Sequence, residues 1–407
     1  MRDGLDWRRG RIVRIGSGLA VAGILIAFTS IPSTSEAADT LKIGVLGPLS
    51  GAAAPWGIAL SRGAELRAEE LNAAGGLKIA GKAYILKTIP YDHKATAAEA
   101  ATTTNKLVFE DKVKFIVGNA VGATCDAAQA ITEREKVLFT FVCWGTKNVA
   151  ADKPYSFREL LSQWEVSPPL YAWIREKHPK IRRVALISPN DTSGWDTSTA
   201  VKDAAKELGM EVVADEYYER GAKDFYPLLT KILAKKPDLL ELAGSTPGEG
   251  GLILKQAYEL GYRGGKAWVA AFDPTRYIQI AGKEATEGLW TVGAPDLEGT
   301  YVSPGVKEFA RKYRGKYGEP ATMIAVANYA GMDVVTKAMQ MAGSLDPDKV
   351  LQALVKGKFE TVWGPVVIGG KARYGIDRQF LYPFVISEIR DGKTVDISSV
   401  APKELKK

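Results

Sequence analysis

The sequence predicts an α/β protein of two lobes, each built on a parallel sheet. Three observations carry this expectation. From residue 41 onward, short β-branched runs alternate with amphipathic helical stretches, which is the pattern of βαβ units. The alternation runs through twice, with a loop containing Pro154, Phe157 and Arg158 between the two series. About 370 residues remain once the N-terminal segment is set aside, too many for one simple core.

The N-terminal segment reads as an export signal. Arg8, Arg9, Arg11 and Arg14 precede an apolar run from Leu19 to Phe28, and Ser35-Glu36-Ala37 offers a small-x-small cleavage site. Residues 1–37 are therefore expected to be a signal peptide, and the mature chain periplasmic. The run is shorter than the roughly 20 residues that span a bilayer, which argues against an anchor. Arg8-Arg9 also permits a twin-arginine reading, but Arg11 stands where that motif prefers an apolar aromatic, and the compartment is the same.

The first element after the signal is a strand near 41–46, from Leu41, Ile43, Val45 and Leu46. A Gly/Ser/Pro stretch, Gly47 to Gly57, is expected to be non-helical, and a helix near 58–74 ends at Gly75-Gly76. Strands near 84–90, 114–118 and 137–142 and helices near 96–110 and 124–134 complete the first series. The second has strands near 183–188, 211–217, 238–242 and 267–271 and helices near 166–177, 196–208, 224–235 and 249–260. Two of these helices end alike, in Lys206-Glu207-Leu208-Gly209 and Tyr258-Glu259-Leu260-Gly261, each Gly reading as a C-cap. Helices 304–317, 322–342 and 347–356 follow, then strand-like runs at 365–368 and 380–390.

Composition excludes several functions. The formal charge of +7 belongs to Lys and Arg scattered among acids, with no basic stripe interleaved with aromatics, so nucleic acid is not an expected partner. Gly76 to Ala83 nearly spells a phosphate-binding loop, yet it lies between a helix and a strand and has Ala83 where Ser or Thr is needed, so it reads as a tight turn. The 2 histidines, His93 and His178, stand beside no nucleophile motif, and no His/Cys/carboxylate cluster has ligand spacing. No catalytic residue, metal or cofactor is expected. His178 reads as a helix C-terminal residue, and His93 as a loop residue that could reach a cleft mouth. Cys125 and Cys143 lie at a helix start and a strand end that neighbouring parallel strands bring together, so they are either a disulfide or two buried thiols.

Candidate ligand contacts follow from where helices begin. Asn119 to Thr124 joins a strand to a helix, so its free N–H groups could hold a carboxylate, with Gly122 allowing close approach, Ala123 beside it and Thr124 adding a hydroxyl. Ligands of open parallel sheets collect beyond the C-terminal strand ends.

The opening segment LKIGVLGPLSGAAAPWGIALSRGAELRAEELNAAGG resembles the start of the periplasmic Leu/Ile/Val-binding protein family, the solute receptors of ABC importers. The resemblance rests on GPLSG, the Trp56-Gly57 pair, and a helix ending in Asn72 and Gly75-Gly76, and weaker likeness continues almost to the C-terminus. It implies two Rossmann-like lobes joined by three crossovers, near 160, 293 and 370, with a ligand cleft between them. Lobe 1 would hold 39–160 and 293–369, and lobe 2 161–292 and 370–401. It places a ligand-carboxylate Ser at about Gly122 and a second contact on Cys143, Trp144, Gly145 and Thr146. Thr146 matches the expected hydroxyl, whereas Trp144 replaces a small residue. On the second lobe it implies Ser193 and Trp195, Ser245 and Thr246, and Asp273 as the acid for a substrate ammonium; Asp273 before Pro274 also reads as a helix N-cap. Trp56, Trp144 and Trp195, with Trp164 beside them, would then share one cleft.

The expected function is a monomeric receptor that closes on an amino acid or related small carboxylate and presents it to ABC permease membrane subunits, performing no reaction. The tryptophans leave open an aromatic acid, an amide or a quaternary amine as solute. A sensory binding protein of the same fold, or an enzyme using carboxylates and Lys in the cleft, are the other readings.

Overall fold

The computed structural model describes residues 38–51, 53–269, 274–293, 295–402 and 405; the expected signal peptide and Asp273 lie outside the described residues. The first strand, β1 (Asp39–Gly47), buries Ile43, Val45 and Leu46. The first helix, α1 (Ala54–Ala73), begins inside the stretch expected to be non-helical. Pro55 sits in its first turn, where a missing N–H costs nothing, and Gly57 lies against Pro48, whose carbonyl oxygen a Cβ would approach to 2.1 Å. A hairpin follows, β2 (Leu77–Ile79) and β3 (Lys82–Asp92), turning at Ala80 and Gly81, both with positive φ. The near-phosphate-loop is thus a β-turn.

The first series is completed by α2 (Ala97–Asn105), β4 (Phe115–Gly118), α3 (Gly122–Thr132), β5 (Leu138–Phe141) and β6 (Ser156–Arg158). The second has α4 (Gln163–Lys177), β7 (Arg183–Pro189), α5 (Thr192–Glu207), β8 (Glu211–Tyr218), α6 (Tyr226–Leu233), β9 (Leu239–Glu241) and α7 (Pro247–Glu259). It ends with β10 (Gly265–Val269), α8 (Pro274–Ala281), α9 (Lys283–Thr286) and β11 (Leu289–Val292). Then come α10 (Pro304–Tyr317), α11 (Met323–Ala342), α12 (Pro347–Lys356), β12 (Lys358–Thr361), β13 (Gly364–Gly369), α13 (Lys371–Tyr374), β14 (Gln379–Leu381), β15 (Phe384–Arg390) and β16 (Lys393–Val400).

Two sheets result. One has the order β12-β13-β14-β6-β5-β4-β1-β3-β2, the other β16-β15-β11-β10-β9-β7-β8. Their centres are parallel, as expected from strands such as FIVG and LFTF that are buried throughout. Three of their four edges are antiparallel, with β2 on β3, β12 on β13, and β15 on β11 and β16, while the β8 edge pairs in parallel with β7. The chain passes between the sheets after β6, after β11 and after β14. The last passage falls at Tyr382-Pro383, later than the expected 370. The strand-like run 380–390 is in fact two strands in different sheets, split at Pro383, which has no N–H for a ladder.

The core of the first lobe lies under α11, whose residues from Ala325 to Thr336 are all buried. Ion pairs tie α1 to that side: Arg67 to Asp333 at 2.8 Å and Lys312 to Glu70 at 2.7 Å. Among the described residues no helix is long and apolar enough to cross a membrane.

Candidate functional site

The loops that matter lie at the C-terminal ends of β4 and β5 in one sheet and of β7, β8 and β9 in the other. In the first of them, Asn119 takes a positive φ, which Asn tolerates better than most residues. Its Oδ1 accepts from His93 Nε2–H at 3.1 Å and from the Thr124 hydroxyl at 2.6 Å. His93 Nδ1 meanwhile accepts the Ala95 N–H at 3.1 Å, which fixes a neutral imidazole, and burial holds its pKa below the usual value. His93 is therefore a buried strut under the loop rather than a group at a cleft mouth. Thr124 is equally buried, and its hydroxyl is spent within the loop, on Asn119 and on the Val121 carbonyl. The Thr124 hydroxyl, expected to face a ligand, is thus turned into its own loop.

What this loop does present is the start of α3. Val121 at the N-cap makes no side-chain hydrogen bond to the helix, so the N–H groups of Gly122 and Ala123 have no intrahelical acceptor. A Cβ built on Gly122 meets nothing within 4 Å, and Ala123 is exposed, so the helix end opens on free space.

Cys143, just past β5, is joined to Cys125 in a disulfide and is fully buried, which leaves its sulfur no exposed surface. The next residues turn toward the second lobe. Trp144 donates its Nε1–H to the Leu161 carbonyl at 3.0 Å. Thr146 bridges the lobes: its N–H donates to Asp196 Oδ2 of α5 at 3.0 Å, and its hydroxyl oxygen accepts from Trp164 Nε1–H at 2.9 Å and from Gln163 Nε2–H at 3.3 Å. The Trp164 ring is covered by the Arg373 guanidinium, 3.6 Å from its centroid. Buried Arg158 holds the same loop from below, donating to the Gly145 carbonyl at 2.7 Å.

In the second lobe the helices that follow β7 and β9 begin with acids in their caps. Asp191 accepts the Gly194 N–H at the start of α5, and Thr246 with Glu249 forms a capping box on α7. Ser245 is nearly buried and accepts from the Tyr218 hydroxyl at 3.0 Å. Thr246 is spent on Glu249, and Ser193 is the second residue of α5. Trp195 and Trp56 stand in the first turns of α5 and α1, 49% and 45% exposed, and Trp195 Nε1–H donates to Asn190 Oδ1 at 3.1 Å.

A profile described as periplasmic binding protein matches residues 40–393. The chain belongs to that family. Among its relatives is a leucine-, isoleucine-, valine-, threonine- and alanine-binding protein of Pseudomonas aeruginosa, 29% identical over 356 residues, covering 87% of this chain and 90% of the relative. The Leu/Ile/Val-binding protein of Escherichia coli is 26% identical, covering 86% and 91%. A branched-chain amino acid transporter substrate binding protein of Streptococcus pneumoniae, solved with isoleucine, superposes with a TM-score of 0.73 at 26% identity, covering 89% of this chain and all of that one.

This periplasmic binding protein also relies on a residue that sequence reasoning passed over. Arg220, after β8, donates to Asp191 at 2.7 Å, to Glu249 at 2.7 Å and to the Gly244 carbonyl at 3.1 Å, stitching three cleft loops together. Burial pulls its pKa down, but Asp191 and Glu249 more than compensate and hold it above the usual value. Burial likewise favours a protonated Glu249, yet the N–H groups of Gly221 and Thr246 and the Arg220 charge keep it ionised below the usual carboxylate range. The available signal was position alone, in a loop at a C-terminal strand end. Asp196, Gln163 and Arg373 carried no motif at all.

Proposed function

We propose that the mature protein is the periplasmic receptor of an ABC importer, closing its two lobes on a small amino acid and handing it to the permease without chemical change. One observation carries this reading: the start of α3 is uncapped and open, whereas the starts of α5 and α7 are already neutralised by Asp191 and Glu249. An uncapped helix start attracts an anion through its unpaired N–H groups and its dipole. The opposite face carries Asp191, Asp196 and Glu249 against Arg220 and suits a cation. A zwitterion matches both. Its carboxylate would rest on Gly122 and Ala123, and its ammonium would face the second lobe on the side of Asp196. The binding of branched-chain and small amino acids by the relatives above agrees with this polarity. Trp56 and Trp195 would close over the side chain, and Thr146 would hold the lobes rather than the ligand.

Gly122→Pro tests the reading. It deletes one of the two N–H groups at a position where proline suits the helix, and Val121 before it already has extended backbone (φ −109, ψ 122). Amino-acid binding, found first by a thermal-shift screen of the mature chain, should weaken roughly tenfold or more, since hydrogen bonds to charged groups are worth about 1.5–3 kcal/mol. Unchanged affinity in a folded variant would place the carboxylate elsewhere.

A further inference from the structure

Behind Trp144 lies a cavity of about 220 Å³ that the amino-acid reading does not use. Its walls come from all three passages between the lobes, with Leu161 from the first, Val292 and Val302 from the second, and Phe384 from the third. The lining is apolar and holds aromatic rings among its Leu, Val and Met side chains, including Trp144 and the stacked pair Trp363 and Tyr382, 4.9 Å apart with planes 8° from parallel. None of the lining residues is charged. Several polar atoms of the wall are already bonded within the protein: Trp144 Nε1–H to the Leu161 carbonyl, the Leu161 N–H to the Tyr382 hydroxyl, and the Ser303 hydroxyl to the carbonyl of Val362 beside the wall. A zwitterion placed here would lose its hydration and find no opposite charge, at a cost of several kcal/mol. An apolar cavity of about 150 Å³ is already enough to hold benzene.

We propose that this cavity is a second binding site, for a small uncharged molecule carrying an aromatic ring, and that its occupant sets the angle between the lobes. The second half follows from the walls. Val306 and Met323 belong to helices of the first lobe, and Val166 and Val385 to the second, so a change in lobe angle changes the cavity. A molecule that fits one angle better must shift the population toward it. Solute and ring would then bias one another by the same factor.

The test uses fluorobenzene as probe and the mature protein, followed by ligand-observed fluorine NMR. Saturable binding is expected, and benzoate and amino acids should not displace the probe. Val166→Phe fills the cavity from α4. Ser399→Trp obstructs it from an exposed rim position where folding is not at stake. Each should weaken fluorobenzene about tenfold or more, equal to about 1.4 kcal/mol. At saturation the small-angle scattering of the wild type should change, and that of Ser399→Trp should not. No saturable binding, equal binding in both variants, or displacement by benzoate would overturn the site. An unchanged scattering curve with probe bound would overturn its control of the lobe angle.

Discussion

Glu159→Gln should stabilise the protein at neutral pH and leave it nearly unchanged in mild acid. Glu159 follows β6 at the first passage, is 1% exposed, and has the Thr140 hydroxyl on one oxygen and no hydrogen-bond partner on the other. Helix α11 presses on it through Gly331, where a Cβ would come within 2.0 Å of the carboxyl. Burial raises its pKa from 4.5 to about 8, with the Thr140 hydroxyl pulling weakly the other way. The native state therefore binds a proton that the unfolded chain releases above pH 4.5. Stability contributed by this group must fall as pH rises from about 4.5 to about 8, and level off beyond. Holding the proton at pH 7 costs roughly 3 kcal/mol, at 1.36 kcal/mol per pKa unit. Glutamine keeps the shape and never pays that cost. Urea unfolding of both proteins at pH 4.5, 6, 7 and 8.5 measures it. Glu241, also buried and raised to about 7, tilts both curves alike and cancels in the difference. The gap between variant and wild type should widen by roughly 3 kcal/mol from pH 4.5 to 7. A gap that does not change with pH would refute the reasoning, because the carboxyl would then be ionised in the folded state.

Other consequences are simpler to check. Replacing Cys125 and Cys143 by Ala opens a link spanning 18 residues, and urea unfolding should show a loss of about 3 kcal/mol, matched in the wild type by adding reductant. Gly57→Ala drives a Cβ toward the Pro48 carbonyl and should cost roughly 1–3 kcal/mol. Gly122→Ala, with nothing within 4 Å, should stay within about 0.5 kcal/mol in the same assay. Asp196→Ala removes the acceptor of the Thr146 N–H between the lobes, and scattering of the solute-free protein should show a larger radius of gyration. An unaltered radius would mean that other contacts set the lobe angle.

The two-lobed α/β fold was legible because its signals are local. The alternation of β-branched runs and amphipathic helices reports each βαβ unit where it stands, and helices such as α10 and α12 begin and end where Pro and Gly put them. The start of α1 was misread because a Gly-rich segment also suits a helix whose first turn must pass close to another backbone, and contact between Gly57 and Pro48 leaves no local mark. The run 380–390 was misread for a related reason. Its residues are strand-forming on both sides of Pro383, and which sheet each half joins is decided by partners distant in sequence, β6 at Arg158 for the first half and β11 at Trp290 for the second.

The cleft was less legible than the fold because a polar side chain near a ligand site and one that builds the site look alike in sequence. Thr124, Ser245 and Thr246 are the hydroxyls that motif reasoning selects; Thr124 and Thr246 are bonded within the loops that carry them, and Ser245 accepts from Tyr218 of β8. Thr146 is consumed by the other lobe. On the proposed reading, what remains for a solute is mostly backbone, the N–H groups of Gly122 and Ala123, together with acids whose charge is only partly met by Arg220. A site of this kind tolerates side-chain changes as long as one helix end stays uncapped and the opposing ends stay acidic. Solute choice then shifts to the tryptophans, whose rings can change the space available without disturbing either charged end. On the proposed reading, Trp56 and Trp195 are the positions where specificity can vary, while the polarity of the cleft is fixed by how its helices start.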